Sequence, residues 1–345
     1  MTLFTLLLGI MCFLFKSGFS DKECPTITTF EDRRVNKDVL RIVQYNVEWL
    51  FIDYYKPMDC PGSGCTWHNT NDAKTHLDYV TNTIQYLEPD IINLCEVEGC
   101  DELNMVISNL SQSSVYKPYL KQGTDSATGQ NVGLITKIDP LINLYRTEEK
   151  VEYPIQGTKC GNSTVSGLEG VSKHYITEYL INNINIALIG AHLLAIPTEP
   201  NRCVQREAQA QVLQNIIYSY IQVGYEIIVI GDMNDYDYEV LDTNSHEPTS
   251  RTLDILKGLS GTNSGKYELT NVAYRIQQDY RYTDWYDSDN NCNTSTKSDL
   301  SMIDHILVTK NIDKKIKDLF IYHGYNEYCG KWDSDHWPVV LDLEL

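Results

Sequence analysis

The chain has 345 residues, ten cysteines and a formal net charge of −19. So large an acidic excess argues against tight, charge-driven binding of duplex nucleic acid, though not against an enzyme that gathers divalent cations at an acidic cleft and turns over quickly. Beyond the N-terminal run no apolar stretch is long enough for a membrane span, and no linker or low-complexity tract divides the sequence, so one large α/β domain is expected.

In chain order, Leu3, Leu6, Leu7, Leu8, Ile10, Met11, Phe13, Leu14 and Phe15 form a short apolar run, with Gly18 and Ser20 at the spacing of a signal-peptidase site. Residues 1–20 are expected to be removed, which implies secretion or a lumen of the secretory or lysosomal pathway. Cys12 leaves with them. The others, Cys24, Cys60, Cys65, Cys95, Cys100, Cys160, Cys203, Cys292 and Cys329, suit an oxidising compartment, and their irregular spacing does not suggest a zinc module. Local loops Cys60–Cys65 and Cys95–Cys100 are open pairings, and the odd count leaves one thiol free or intermolecular. Sequons at Asn109, Asn162 and Asn293 suit a glycoprotein.

Residues 21–39 read as an extended arm tied down by Cys24, and 40–345 as the domain. A strand at Leu40–Val47 delivers Asn46 and Glu48 to its exit. A loop over 52–70 precedes Ala73, Leu77, Val80, Ile84 and Leu87, one face of an amphipathic helix that ends at Pro89-Asp90. The next strand, Ile91–Glu96, ends in a carboxylate. A short helix follows through Leu103–Leu110, then a strand over Val132–Thr136. Glycine-rich 139–172 reads as surface loops. Tyr175–Leu180 and Ile184–Gly190 form a hairpin around Asn182-Asn183 that delivers His192. Arg202–Gln222 is a long helix. Four β-branched residues, Ile227–Ile230, then run into Gly231-Asp232-Met233-Asn234, a doubly buried strand with Asp232 and Asn234 at its exit. Polar 236–300 holds one helix, Leu253–Leu259. A strand over Met302–Val308 begins with Asp304, and Ser334-Asp335-His336 precede the last strand, Val339–Leu343.

Asn46, Glu96, His192 and Asp232 follow strands, whereas Asp304, Asp335 and His336 stand at or before strand starts, so strands of opposite direction must bring them to one edge of mixed sheets. Carboxylates and an amide there suit Mg²⁺, with Ca²⁺ or Mn²⁺ as alternatives, rather than zinc. With two histidines beside them, the chemistry points to phosphate esters. His305 would face the other side of its strand. His174, Arg202 and Arg206 could approach a phosphate, but read rather as surface residues. Tyr280, Tyr282, Trp285 and Tyr286 read either as loop packing or as a stacking platform for bases.

Asn46-Val47-Glu48-x-Leu50-Phe51, Cys95-Glu96-Val97-Glu98, Ala191-His192-Leu193, Gly231-Asp232-Met233-Asn234, Ile303-Asp304-His305-Ile306 and Ser334-Asp335-His336-x-Pro338-Val339 stand in the order found in the endonuclease/exonuclease/phosphatase superfamily. Over about residues 40–345 the chain resembles the secreted nuclease branch of that deoxyribonuclease I-like group. The resemblance implies a four-layer α/β sandwich of two packed mixed sheets flanked by helices, and a monomeric endonuclease acting on nucleic acid. It implies Asn46, Glu96 and Asp335 at the metal, Asp232 and Asn234 on the attacking water and the phosphate, His336 oriented by Asp304, and His192 at the phosphate or leaving group. Glu48 matches a position that carries a carboxylate near a second metal in some relatives. The carboxylate that many relatives set beside the first histidine has no evident counterpart. A lipid phosphodiesterase or phosphomonoesterase would share this edge, and an inactive binding protein would share the fold. For a lipid enzyme the segment to watch is Trp49-Leu50-Phe51-Ile52.

Overall fold

The computed structural model describes residues 22–52, 67, 69–287, 296–325 and 334–345. The N-terminal apolar run, most of the 52–70 loop, the sequon at Asn293 and Cys60, Cys65, Cys292 and Cys329 lie outside them. No helix among the described residues is long and apolar enough to cross a membrane.

The elements run β1 (Val39–Leu50), α1 (Thr70–Leu87), β2 (Ile91–Val97), α2 (Cys100–Asn109), β3 (Lys117–Leu120), β4 (Asn131–Thr136), β5 (Val151–Tyr153), β6 (Gly167–Glu169), β7 (Lys173–Ile181) and β8 (Ile184–His192). They continue with α3 (Pro200–Gln222), β9 (Glu226–Asp232), α4 (Thr252–Lys257), β10 (Leu269–Asn271), β11 (Asp284–Trp285), β12 (Leu300–Ser301), β13 (Asp304–Thr309), α5 (Lys310–Asp313), β14 (Ile316–Ile321) and β15 (Val339–Glu344). One sheet has the order β14-β15-β1-β2-β4-β3 and the other β10-β13-β9-β8-β7. Each combines one parallel pair, β1–β2 or β8–β9, with antiparallel neighbours.

Strand alternation accounts for the layers. In β9, Ile228 and Ile230 join Leu40, Ile42, Leu134 and Leu341 in the core between the sheets, whereas Ile227 and Val229 pack with Leu213 and Ile217 of α3. In β1, Val43, Tyr45 and Val47 face Leu77, Val80 and Ile84 of α1. Both faces of each sheet are therefore covered, giving four layers, helix–sheet–sheet–helix.

The expected elements form, with differences. The strands β3, β10 and β14 are short and partly exposed, and lack the apolar runs that mark central strands. The 139–172 region contains a small hairpin, β5–β6. Cys100 pairs with Cys24, not Cys95, and so fastens the N-terminal arm to α2; a second disulfide joins Cys160 to Cys203. Cys95 is a free thiol, buried between the sheets.

His174 is not a surface residue. It is buried in β7, its Nε2 accepts the Thr147 N–H at 3.0 Å, and burial, with the Arg146 charge, lowers its pKa to about 3. A histidine whose folded-state pKa lies below the unfolded 6.5 takes up its proton preferentially in the unfolded chain. Stability from this group is therefore complete above pH 6.5 and is lost as the pH falls from there towards 3. Between pH 7 and pH 5 that loss is about 2 kcal/mol. His174→Gln, which has no such titration, is expected to flatten the fall in melting temperature over this interval, as a calorimetric pH series would show.

Candidate active site

Three neighbouring pairings place Lys173, His192, Asp232 and Asp304 side by side across β7, β8, β9 and β13. This row ends one sheet. The facing sheet supplies Asn46, Glu96 and the 334–336 segment, and the two meet at one edge of the sandwich.

Asn46 Nδ2 donates to Asp232 Oδ2 at 3.1 Å and to Glu96 Oε1 at 3.3 Å. Its Oδ1 accepts the Glu48 N–H. Glu96 Oε2 accepts the Trp49 N–H at 3.1 Å. The Asn234 N–H donates to Asp232 Oδ1 at 2.9 Å, and Asn234 Nδ2 to the Leu193 carbonyl. His336 Nδ1 meets Asp304 Oδ2 at 2.7 Å, and its Nε2 lies 3.6 Å from Asp284 Oδ1 and 3.8 Å from Asp335 Oδ1. Glu48 Oε2 accepts the Asp335 N–H. All eight residues expected at the site are thus brought together, and Glu48 sits among them.

Local backbone geometry makes this convergence work. Glu48, Trp49, Glu96 and Asn234 have φ of 47°, 54°, 68° and 49°, a left-handed conformation that costs non-glycine residues of order 1–3 kcal/mol each. In a regular strand Glu96 would alternate away from the interior-facing Cys95. A register irregularity at this point, shared with both neighbours of β2, turns its carboxylate back towards Asn46. Gly231 at φ 154° lets β9 pass against β8: a Cβ there would lie 1.8 Å from the Ala191 carbonyl oxygen.

The electrostatics separate two kinds of group. Burial, and then the Asp304 charge, push Asp232 up to about 7, opposed by His336, the Asn234 N–H and the Asn46 amide. Burial disfavours a charged His336, but the Asp304 carboxylate, with Asp335 and Asp284 beside it, outweighs this and lifts it well above the ordinary histidine range. His192 moves the other way, held neutral by burial and by the Lys173 and His336 charges.

Lys173 was not anticipated. Its Nζ is 3.4 Å from His192 Nε2 and donates to Gln130 Oε1 at 3.2 Å. His192 Nδ1 has no hydrogen-bond partner among the described residues. Beside this histidine, where the sequence offered no carboxylate partner, the neighbouring strand places a lysine. Gln44 was also missed: its Nε2 donates to Asp304 Oδ1 at 2.9 Å, while its Oε1 accepts from Asn93. A buried amide pair between the sheets therefore holds the carboxylate that holds His336.

Two arginines differ in role from the surface reading. Arg206 is fully buried; its Nε donates to Asp235 Oδ2 at 3.0 Å and its remaining nitrogens to the Leu194, Ile196 and Pro197 carbonyls. It ties the loop after His192 to the turn after Asn234. Arg202 has a half-buried contact to the Ala195 carbonyl. Arg206→Leu strands Asp235 as a buried, unpaired charge and is expected to cost about 3–5 kcal/mol. Denaturant unfolding would report this.

A metal fits the donor chemistry on the Glu96 side. Burial raises Asp335 well above the usual carboxylate value, and the Glu48, Glu96 and Asp284 carboxylates raise it further against the pull of His336. A hard divalent cation relieves such crowding. Asp232, Asp304 and His336 also offer atoms within 4.8 Å of one another. However, Asp304 Oδ2 and His336 Nδ1 are engaged with each other, so this trio reads as acid–base machinery.

The aromatic segment divides. Tyr282 stacks on His323 at 3.8 Å and packs against Trp337, and Trp285 is buried, whereas Tyr280 and Tyr286 are exposed. Of the Trp49–Ile52 segment, Leu50, Phe51 and Ile52 are buried and Trp49 is half-buried. His305 does face away from the site, bonding the Asp235 carbonyl and Asn271.

No protein-family profile and no curated protein matches the sequence. Solved structures do match in fold. The 3'-5' exonuclease NExo from Neisseria meningitidis superposes with a TM-score of 0.57 at 14% identity, covering 89% of this chain and 100% of that one. An AP endonuclease from Archaeoglobus fulgidus gives 0.52 at 15%, with 89% and 100% covered. A humanized D. rerio TDP2 gives 0.51 at 14%, with the same coverage.

Proposed function

We propose that this chain, whose fold is that of the endonuclease/exonuclease/phosphatase superfamily, is a divalent-metal-dependent phosphodiesterase that hydrolyses nucleic-acid phosphodiester bonds, most simply as a secreted, monomeric, glycosylated endonuclease. Residues 40–345 form its domain, after a removed segment 1–20 and the arm 21–39. The observation that carries the reading is the convergence of Asp232, the Asp304–His336 pair, all buried, and the partly exposed Glu96 on one edge of the sandwich. The fold neighbours named as nucleases support it.

Asn46, Glu96 and Asp335 would hold Mg²⁺, which supplies positive charge to the phosphoryl oxygens when bound. Asp232, with its pKa near 7, takes a proton from the attacking water. Asn234, braced on the Leu193 carbonyl, orients that water or the phosphate. Asp304 accepts from His336 Nδ1–H and, with the neighbouring carboxylates, keeps the ring as the imidazolium, so that Nε2–H, turned towards the substrate, stabilises the departing oxygen. His192 stays neutral, and Lys173 beside it supplies the cation at that corner.

The test is plasmid nicking by the purified protein with Mg²⁺, with Ca²⁺ and with EDTA, beside Glu96→Gln. Chelation is expected to abolish nicking, and Glu96→Gln to lower it by about 10²-fold or more, as removal of a metal ligand or its support does. Nicking that continues unchanged in EDTA would remove the metal from the mechanism. A folded protein that leaves plasmid and RNA uncut yet hydrolyses sphingomyelin would replace the substrate class.

A further inference from the structure

A cavity of about 520 Å³ opens beside the catalytic edge, within the range of about 300–1,000 Å³ typical of small-molecule sites. Asn234 and Asp284 belong to both, and Asp284 Oδ1 lies 3.6 Å from His336 Nε2. Pro197, Tyr236, His246 and Ile303 are among its other lining residues. The Tyr236 and His246 rings are stacked at 4.8 Å and 20°. His246 is fixed there, its Nδ1 2.7 Å from Asp242 Oδ2 and its N–H donating to Asp242 Oδ1 at 3.0 Å. The cavity thus presents a flat, immobilised aromatic surface one contact away from the group that faces the leaving oxygen.

We propose that this cavity receives one unstacked nucleobase next to the scissile phosphate, so that the enzyme acts on single-stranded or otherwise unpaired nucleic acid in preference to the interior of a duplex. The inference rests on the phosphodiesterase reading and adds the substrate form to it. A planar base can stack on an aromatic side chain that lines the cavity. A base inside a duplex is already stacked on its neighbours and must be extruded before it can enter, at a cost that an unpaired base does not bear. The net charge of −19 gives no electrostatic hold on a duplex to offset that cost. Base–aromatic stacking, in contrast, is sequence-tolerant and contributes on the order of ten- to a hundred-fold in binding per base.

The test uses a labelled single-stranded oligonucleotide with one cleavable phosphodiester, the others being methylphosphonates. The base on either side of it is present or replaced by a tetrahydrofuran abasic unit, and the same strand is also presented as a duplex. Wild type is expected to cut the single strand at least ten-fold faster than the duplex. Removing the base on one side should lower kcat/KM by on the order of ten- to a hundred-fold. Tyr236→Ala removes the platform, and Thr198→Trp, on the exposed rim of the cavity, blocks entry; in either, the base-to-abasic ratio should fall to within two-fold. Thr198→Trp keeps the test open should Tyr236→Ala fail to fold. Equal rates on base-bearing and abasic strands, or a ratio unchanged in both variants, would overturn the proposal. A cleavage-free measurement separates this inference from the reading beneath it. In EDTA, 2-aminopurine riboside monophosphate fluorescence should be quenched saturably by wild type and not by Thr198→Trp. Saturable quenching without cleavage of any oligonucleotide supports the base site and sinks the phosphodiesterase reading; no quenching by wild type sinks the base site.

Discussion

Asp232→Asn is expected to lower kcat on a phosphodiester by about 10³-fold, within the 10²–10⁴ that a positioned general base contributes, while raising stability at neutral pH. The two effects have opposite signs for one reason. Asp232 is buried, Asn46 and the Asn234 N–H hold its two oxygens, and burial with the Asp304 charge lifts its pKa from 3.8 to about 7. A carboxyl whose folded-state pKa is raised stabilises the fold below the unfolded value. That contribution is lost as the pH climbs from 3.8 through about 7. Above pH 7 the folded chain carries the full penalty of a buried charge, and the asparagine does not. Steady-state kinetics beside thermal unfolding in EDTA at pH 7.5 would show a dead enzyme with a higher melting temperature. A lower melting temperature with equal loss of activity would mean that Asp232 is a structural residue.

Gly231→Ala should have the largest effect on folding, about 4 kcal/mol or more, a size reserved for backbone clashes and buried uncompensated charge. The new methyl would stand 1.8 Å from the Ala191 carbonyl oxygen and 2.8 Å from its carbon, atoms that cannot rotate away. A φ of 154° also belongs to a region that alanine avoids. Relief requires β8 and β9 to separate at the point where His192 and Asp232 lie abreast, so activity should go with stability. Soluble yield and denaturant midpoint would measure this; a variant that folds normally would show that the two strands can move apart cheaply.

Much of the site was legible because catalytic groups at strand exits leave a simple trace, an apolar run that stops in a carboxylate, amide or imidazole. Ile227–Ile230 before Asp232 and Ile91–Leu94 before Glu96 are of this kind. Opposite strand directions then required one shared edge, and the registers set His192, Asp232 and Asp304 abreast. Lys173 was also within reach. The two-residue turn at Asn182-Asn183 sets the register of β7 on β8, and stepping back from it pairs Lys173 with His192. Other features had no local signal. Nothing near Glu96 announces a left-handed backbone. Gln44 reads as an inward polar residue, but its partner Asp304 is 260 positions away. Arg206 looked like a helix-surface cation because the loop that buries it, Leu194–Pro197, follows a different strand.

The place of β15 in its sheet has a consequence for how the protein is made. It lies between β14 and β1, matching Val339–Glu344 against Gln44–Val39, and the segment just before it carries Asp335 and His336. Asn46 therefore waits through nearly three hundred residues of synthesis before its sheet can close. Until β15 is available, β1 lacks one neighbour and the polar edge lacks Asp335 and His336.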